Sequence, residues 1–125
     1  MSTRALYGFK DVTGTFWVYV HYDGYPEGAA EKFKKTLESG KVWPLPRFEA
    51  NEFAAGFVTA NKMSDGGVRL SNGPAAHGDI EYVYIVYKVV TALHVSVEYP
   101  NGGGFLYSGT LDGFIKTAAT LEEGR

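Results

Sequence analysis

The sequence predicts an α+β domain: a mostly antiparallel sheet of about six strands with two or three helices packed on one face, in the order β-β-α-α-β-β-β-β-α. Three observations carry this expectation. Glycine supplies 16 of the 125 residues, about twice its ordinary share of roughly 7%. The aromatic residues (Phe 8, Tyr 9, Trp 2) gather in short runs bounded by turn formers, the signature of strands joined by tight reversals. Three other segments repeat their apolar residues at helical spacing. The length suits one domain over residues 1–125, and no internal repeat or low-complexity segment breaks it.

Residues 3–10 alternate, with Ala5, Tyr7 and Phe9 on one face, and Asp11-Val12-Thr13-Gly14 supplies the turn of a hairpin. Residues 15–22 are aromatic and β-branched on both faces, which predicts a strand covered on both sides. Pro26 suits a first helical turn, where its missing N–H costs nothing, and Glu27 and Glu31 favour the positive helix end. Ala29 or Ala30, Phe33 and Leu37 form the expected inward stripe, and Gly40 ends the helix. Two prolines make residues 41–46 a connector with an apolar tip, Trp43-Pro44-Leu45.

A second helix is expected over about 48–63, with Ala50, Phe53, Ala54 and Phe57 on one face. Residues 68–71 read as a short strand, broken by Asn72-Gly73-Pro74. Residues 80–90 give the longest strand signal. Residues 93–98 alternate Leu93, Val95 and Val97 with His94, Ser96 and Glu98, a strand with one wet face, which ranks the 80–90 strand as the more buried. Pro100-Asn101-Gly102 reverses the chain into a strand at 105–108. Thr110 caps a last helix with Leu111, Phe114, Ile115 and Ala118 inward, and residues 122–125 are expected to fray.

Composition removes several function classes. The chain has no cysteine, so disulfides, thiolate nucleophiles and Cys-ligated metals are excluded. A net charge of −2 supplies no cationic field, and a nucleic-acid partner is not expected. No apolar run reaches the roughly 18 residues of a membrane span, and no signal-peptide pattern opens the chain, so a cytoplasmic location without a membrane partner is the expectation. Phosphate-loop and Gly-x-Ser-x-Gly motifs are missing as well.

Two polar turns carry the candidate chemistry. In His21-Tyr22-Asp23-Gly24-Tyr25-Pro26-Glu27-Gly28, strand geometry would put His21 and Asp23 on one face, as base and orienter or as two metal ligands. The same residues suit an Asx turn or helix cap. In His77-Gly78-Asp79-Ile80-Glu81, period-two spacing would align His77, Asp79 and Glu81; the plainer use is a polar turn with Glu81 beside a basic residue. Were the turns to meet, His21, Asp23, His77 and Asp79 would form a nitrogen and oxygen ligand set for a divalent metal such as Zn, Mn or Fe, with Glu27 or Glu81 as general base.

These turns, with Ser2-Thr3-Arg4-Ala5 at the start, resemble a family of small phage, cyanophage and bacterial proteins of no established activity. That family reads Ser-Thr-Arg-Ala-Thr-Tyr, His-His-Asp-Gly-Tyr-Pro-Glu-Gly-Ala-Ala and His-Gly-Asp-x-Glu-Tyr. Here Leu6 stands where the family has Thr, Tyr22 replaces the second His, and the connector 41–47 looks inserted. The resemblance implies a phage-associated protein, placed in the host cytoplasm if phage-encoded, whose two polar turns act as one feature.

The expectation is an accessory binding domain without catalysis and without a required cofactor. Its binding residues would be His21, Asp23, Tyr25, Glu27, His77, Asp79 and Glu81, and Trp43 and Leu45 a possible interface to a protein partner or a second copy in a homodimer. A metal-binding protein or metal-dependent hydrolase is the alternative.

Overall fold

The structure, a computed structural model, describes residues 3–64 and 66–121. Its elements are β1 (Ala5–Asp11), β2 (Gly14–Val20), α1 (Pro26–Glu38), α2 (Ala50–Asn61), β3 (Val68–Ser71), β4 (Tyr82–Val89), β5 (Ala92–Glu98), β6 (Phe105–Thr110) and α3 (Leu111–Thr117), in the predicted order. The tail expected to fray and Ser2 of the first motif lie outside the described residues.

The six strands form one sheet in the order β3-β2-β1-β4-β5-β6. Tight turns join β1 to β2, β4 to β5 and β5 to β6 as antiparallel pairs. In the last turn Asn101 and Gly102 both take positive φ, the geometry that an Asn-Gly reversal requires. β1 and β4 pair in parallel, Tyr7 opposite Tyr84, so this junction needs a long connection. It is made by residues 72–81, a strap from edge strand β3 to central β4 across the sheet face away from the helices. His77 of the strap stacks on Tyr19 of β2, and its Glu81 N–H donates to the Arg4 carbonyl just before β1.

Alternation decides the core. Ala5, Tyr7, Phe9, Val18, Val20, Tyr84, Val86, Val95 and Val97 share the helix-facing side and are buried. Phe33 of α1, Phe57 of α2 and Phe114 of α3 close over them, with Tyr7 4.7 Å from Phe57 and 5.6 Å from Phe33, and Phe114 5.9 Å from Tyr84. Each fully buried ring contributes about 2–3 kcal/mol by area alone, so this aromatic layer fixes all three helices to one sheet face.

Three expectations need correction. Leu37 is 40% exposed, while Lys32 and Thr36 turn inward. The reason is a polar knot: Thr36 Oγ1 donates to the Lys32 carbonyl and accepts from Asn61 Nδ2, which also reaches the Phe57 carbonyl, so α1 and α2 meet through satisfied polar groups. β5 is no wetter than β4, because Ser96 is buried between its neighbours Ile85 and Ser108, and His94 is half-buried beside Tyr87. β2 is covered on both faces only at its end, where the strap seals Tyr19; Phe16 near its start is exposed.

Candidate functional site

Past Val20 the chain changes sides of the sheet, and this separates the residues of the first polar turn. His21 stays on the strap side, its Nδ1 2.8 Å from the Tyr19 hydroxyl. Asp23 takes a left-handed φ of 51°, a conformation that Asp tolerates better than most residues, and swings the chain into α1. The Tyr84 hydroxyl donates to the Gly24 carbonyl at 2.6 Å, the Gly24 N–H donates to the Thr3 carbonyl at 2.9 Å, and the Lys32 amine donates to the Asp23 carbonyl at 3.1 Å. A Cβ at Gly28 would overlap that Asp23 carbonyl. The Asp-Gly-Tyr-Pro-Glu-Gly motif is therefore a clamp that seats the first turn of α1 on the ends of β1 and β4. Tyr25 begins the helix without a side-chain cap, and Tyr25 and Glu27 are exposed.

Behind the clamp lies an open cavity of about 300 Å³ lined by Tyr22, Asp23, Tyr25, Lys32, Lys35 and Asn61. Lys32 is buried there with its amine 4.9 Å from the centre of the Tyr22 ring. Burial pushes its pKa down to about 8, against the opposing pull of the nearby Asp23. Tyr7, under the same turn, has a buried hydroxyl without a hydrogen-bond partner, and burial together with Tyr22 and Asp23 drives its pKa upward.

The second polar turn belongs to the strap. The His77 ring lies 4.6 Å from that of Tyr19 at an interplanar angle of 8°, and its Nε2 is 2.7 Å from Ser71 Oγ. Arg69, the cross-strand neighbour of Tyr19, places its guanidinium 4.9 Å from the same ring. Asp79 Oδ2 is 3.1 Å from Arg4 Nε, an ion pair whose angle falls outside a hydrogen bond, and the Arg4 backbone N–H donates to Glu81 Oε2 at 3.4 Å. An open cavity of about 480 Å³ lies between Tyr19, Arg69, His77 and Asp79.

The structure thus brings His21 and His77 to one ring, that of Tyr19, but sends their acidic companions elsewhere. Asp23 lines the helix-side cavity, and Asp79 and Glu81 face Arg4. Glu27 and Glu81 are exposed and line neither cavity. Among the described residues, no group of three or more His, Asp or Glu side chains could hold a metal ion. No helix of the described residues is long and apolar enough to cross a membrane.

The connector forms a third feature. Trp43 is half-buried under the Arg47 guanidinium, which lies 3.5 Å from its ring, and its backbone N–H donates to the Glu52 carboxylate. Lys88 holds the Pro46 carbonyl, and Asp11 accepts the Ala50 N–H, so the connector is tied to the two hairpin turns at one end of the sheet. Val12, Leu45, Val89 and Val90 all stand exposed at that end. Reading the sequence missed Val12, Val89 and Val90, because neighbouring turns become one surface only once β1 and β4 are known to pair in parallel. It also missed Tyr19 and Arg69, which needed the register of β2 on β3. No family model, curated protein or solved structure matches the chain.

Proposed function

We propose that the protein is a binding domain without catalysis, an accessory protein of the phage-associated kind that the resemblance implies, which engages a partner protein through the apolar end of its sheet. Val90 carries the reading. It holds a left-handed φ of 56° while 83% exposed. A β-branched residue there costs on the order of 1–2 kcal/mol, and its side chain recovers nothing from the core. Asn or Gly would serve the turn better, and the isopropyl group stands free to meet a surface outside the fold. Val12 is fully exposed beside it, and Leu45 is 46% exposed on the connector.

The test is affinity capture from host lysate by the native chain and by a Val12→Asp, Val90→Asn variant, with captured proteins quantified. The reading expects one partner to be held by the native chain and lost with the variant, while the Val90→Asn change alone raises stability by about 1 kcal/mol. Identical capture by both would show that this end is not the interface. No observation favours the metal-dependent alternative.

A further inference from the structure

The strap covers only half of the sheet face away from the helices. It seals Leu6, Tyr19 and Val83, but Trp17, Ile85, Tyr87 and Phe105 remain partly exposed beyond it, along an open groove of about 810 Å³. That volume falls within the range of small-ligand sites, roughly 300–1,000 Å³. A Cβ on Gly8 would come 2.7 Å from the Trp17 ring and 3.0 Å from Ile85. The bare glycine lets the indole lie flat across β1, one ring face on the backbone and the other lining the groove. Phe105, on edge strand β6, is 72% exposed at the far side.

We propose that this groove is a binding site for a neutral carbohydrate chain, with pyranose rings stacked on Trp17 and Tyr87. A pyranose presents an apolar face of C–H bonds and a rim of hydroxyls, so its receptor needs flat aromatic surface bordered by free hydrogen-bonding groups. The groove has both. The side chains of Lys10, Thr15, Tyr87 and Ser108 line it and make no hydrogen bond to other described residues. Trp17 offers the groove ring surface alone, because its six-membered ring lies over Gly8 while its Nε1 edge is turned to Gly73 of the strap.

Charge separates this ligand from a nucleic-acid strand, which would use the same aromatic surface. The lining carries Lys10 and Lys88 against Asp11 and Glu98, a balance that offers no net field to phosphate. Asp11 and Lys88 are already engaged with Ala50 and Pro46, and Glu98 accepts from Ser96 on the groove floor, where it would repel a phosphate backbone. An uncharged, hydroxyl-rich chain meets all of these groups without penalty. The groove shares Lys10, Val12 and Lys88 with the apolar end, but its ligand does not require a protein partner there.

The experiment is a two-dimensional amide and indole NMR titration of the intact chain with cellohexaose, maltohexaose and chitohexaose, alongside a twelve-residue oligothymidylate. At least one saccharide is expected to shift the Trp17 indole resonance together with the amides of Ile85, Tyr87 and Phe105, with a dissociation constant of about 1 mM or tighter. The oligothymidylate is expected to leave them unmoved. Tyr87→Ala, checked for an unchanged thermal midpoint, is expected to weaken saccharide binding about tenfold. Trp17→Phe supplies a second variant if the first is poorly folded. The proposal is overturned if none of the three saccharides moves these resonances, if the oligothymidylate moves them instead, or if they shift with protein concentration alone, which would assign the face to a second copy of the chain.

Discussion

At the scale of single residues, the polar groups inside this fold divide into those with partners and those without. Asn61, Thr36 and the Lys32 carbonyl satisfy one another between α1 and α2, whereas the Tyr7 hydroxyl is buried with none. An unpaired buried hydroxyl costs about 1–3 kcal/mol. Tyr7→Phe keeps the ring against Phe33, Phe57 and Tyr84 and removes that cost, so chemical denaturation is expected to show a gain of about 1 kcal/mol. Lys32 makes a pH-dependent case. Its amine keeps its proton to about 10.5 when unfolded but only to about 8 when folded. The folded state therefore bears the full cost of the buried charge below pH 8, and that cost is released as pH rises from 8 towards 10.5. Thermal melts of Lys32→Met are expected to show stabilisation of about 1 kcal/mol at pH 7 that shrinks by pH 10; a pH-independent difference would refute the assignment. Alternation put Tyr7 on the core face, but neither its unpaired hydroxyl nor the burial of Lys32 was legible in the sequence. Lys32 sits in a run of charged residues, and only the rotation of α1, set by Phe33, turns it inward.

At the scale of elements, hydrophobic period located every strand and helix, and Gly, Pro or Asn-Gly marks most of the breaks between them; the β4–β5 turn, Val89-Val90-Thr91-Ala92, carries none and was placed by the change of period alone. What it could not give is how elements cap one another. α2 begins at Ala50 behind Glu49, which makes no side-chain cap. Its cap comes from Asp11, 39 positions earlier, whose carboxylate accepts the Ala50 N–H at 2.8 Å while also holding Thr13. Hydrogen bonds from Thr13 and then Ala50 keep the Asp11 carboxyl below its ordinary range. Its stabilising effect is thus present above the unfolded value of 3.8 and is lost as pH falls through the lower folded value. Asp11→Asn is expected to lower the melting midpoint at pH 7 by a few degrees, mainly by freeing the start of α2. That deficit should close as the melts are carried below pH 3.8. The strap is the other device hidden from the sequence: His77-Gly78-Asp79 reads as a ligand cluster, but its imidazole stacks on a tyrosine that only the strand register brings beneath it.

At the scale of the whole molecule, the helices bury one sheet face, the strap seals half of the other, and Val12, Leu45, Val89 and Val90 stand exposed at one end, while Leu70 on β3 and Met63 after α2 are exposed away from it. The two polar turns, the most distinctive segments of the sequence, serve mainly to hold α1 and the strap in place. The surfaces left for partners lie in hairpin turns that look ordinary when read singly. The central claim, that the end bearing Val12, Leu45 and Val90 is an interface, is tested most directly by site-specific photo-crosslinking in host cells. A benzoylphenylalanine would be placed in turn at Val12, at Val90 and, as a control, at Thr59 on the exposed face of α2. The interface reading predicts that positions 12 and 90 crosslink to the same protein and position 59 does not; no crosslink from either turn, or equal capture from all three positions, would contradict it.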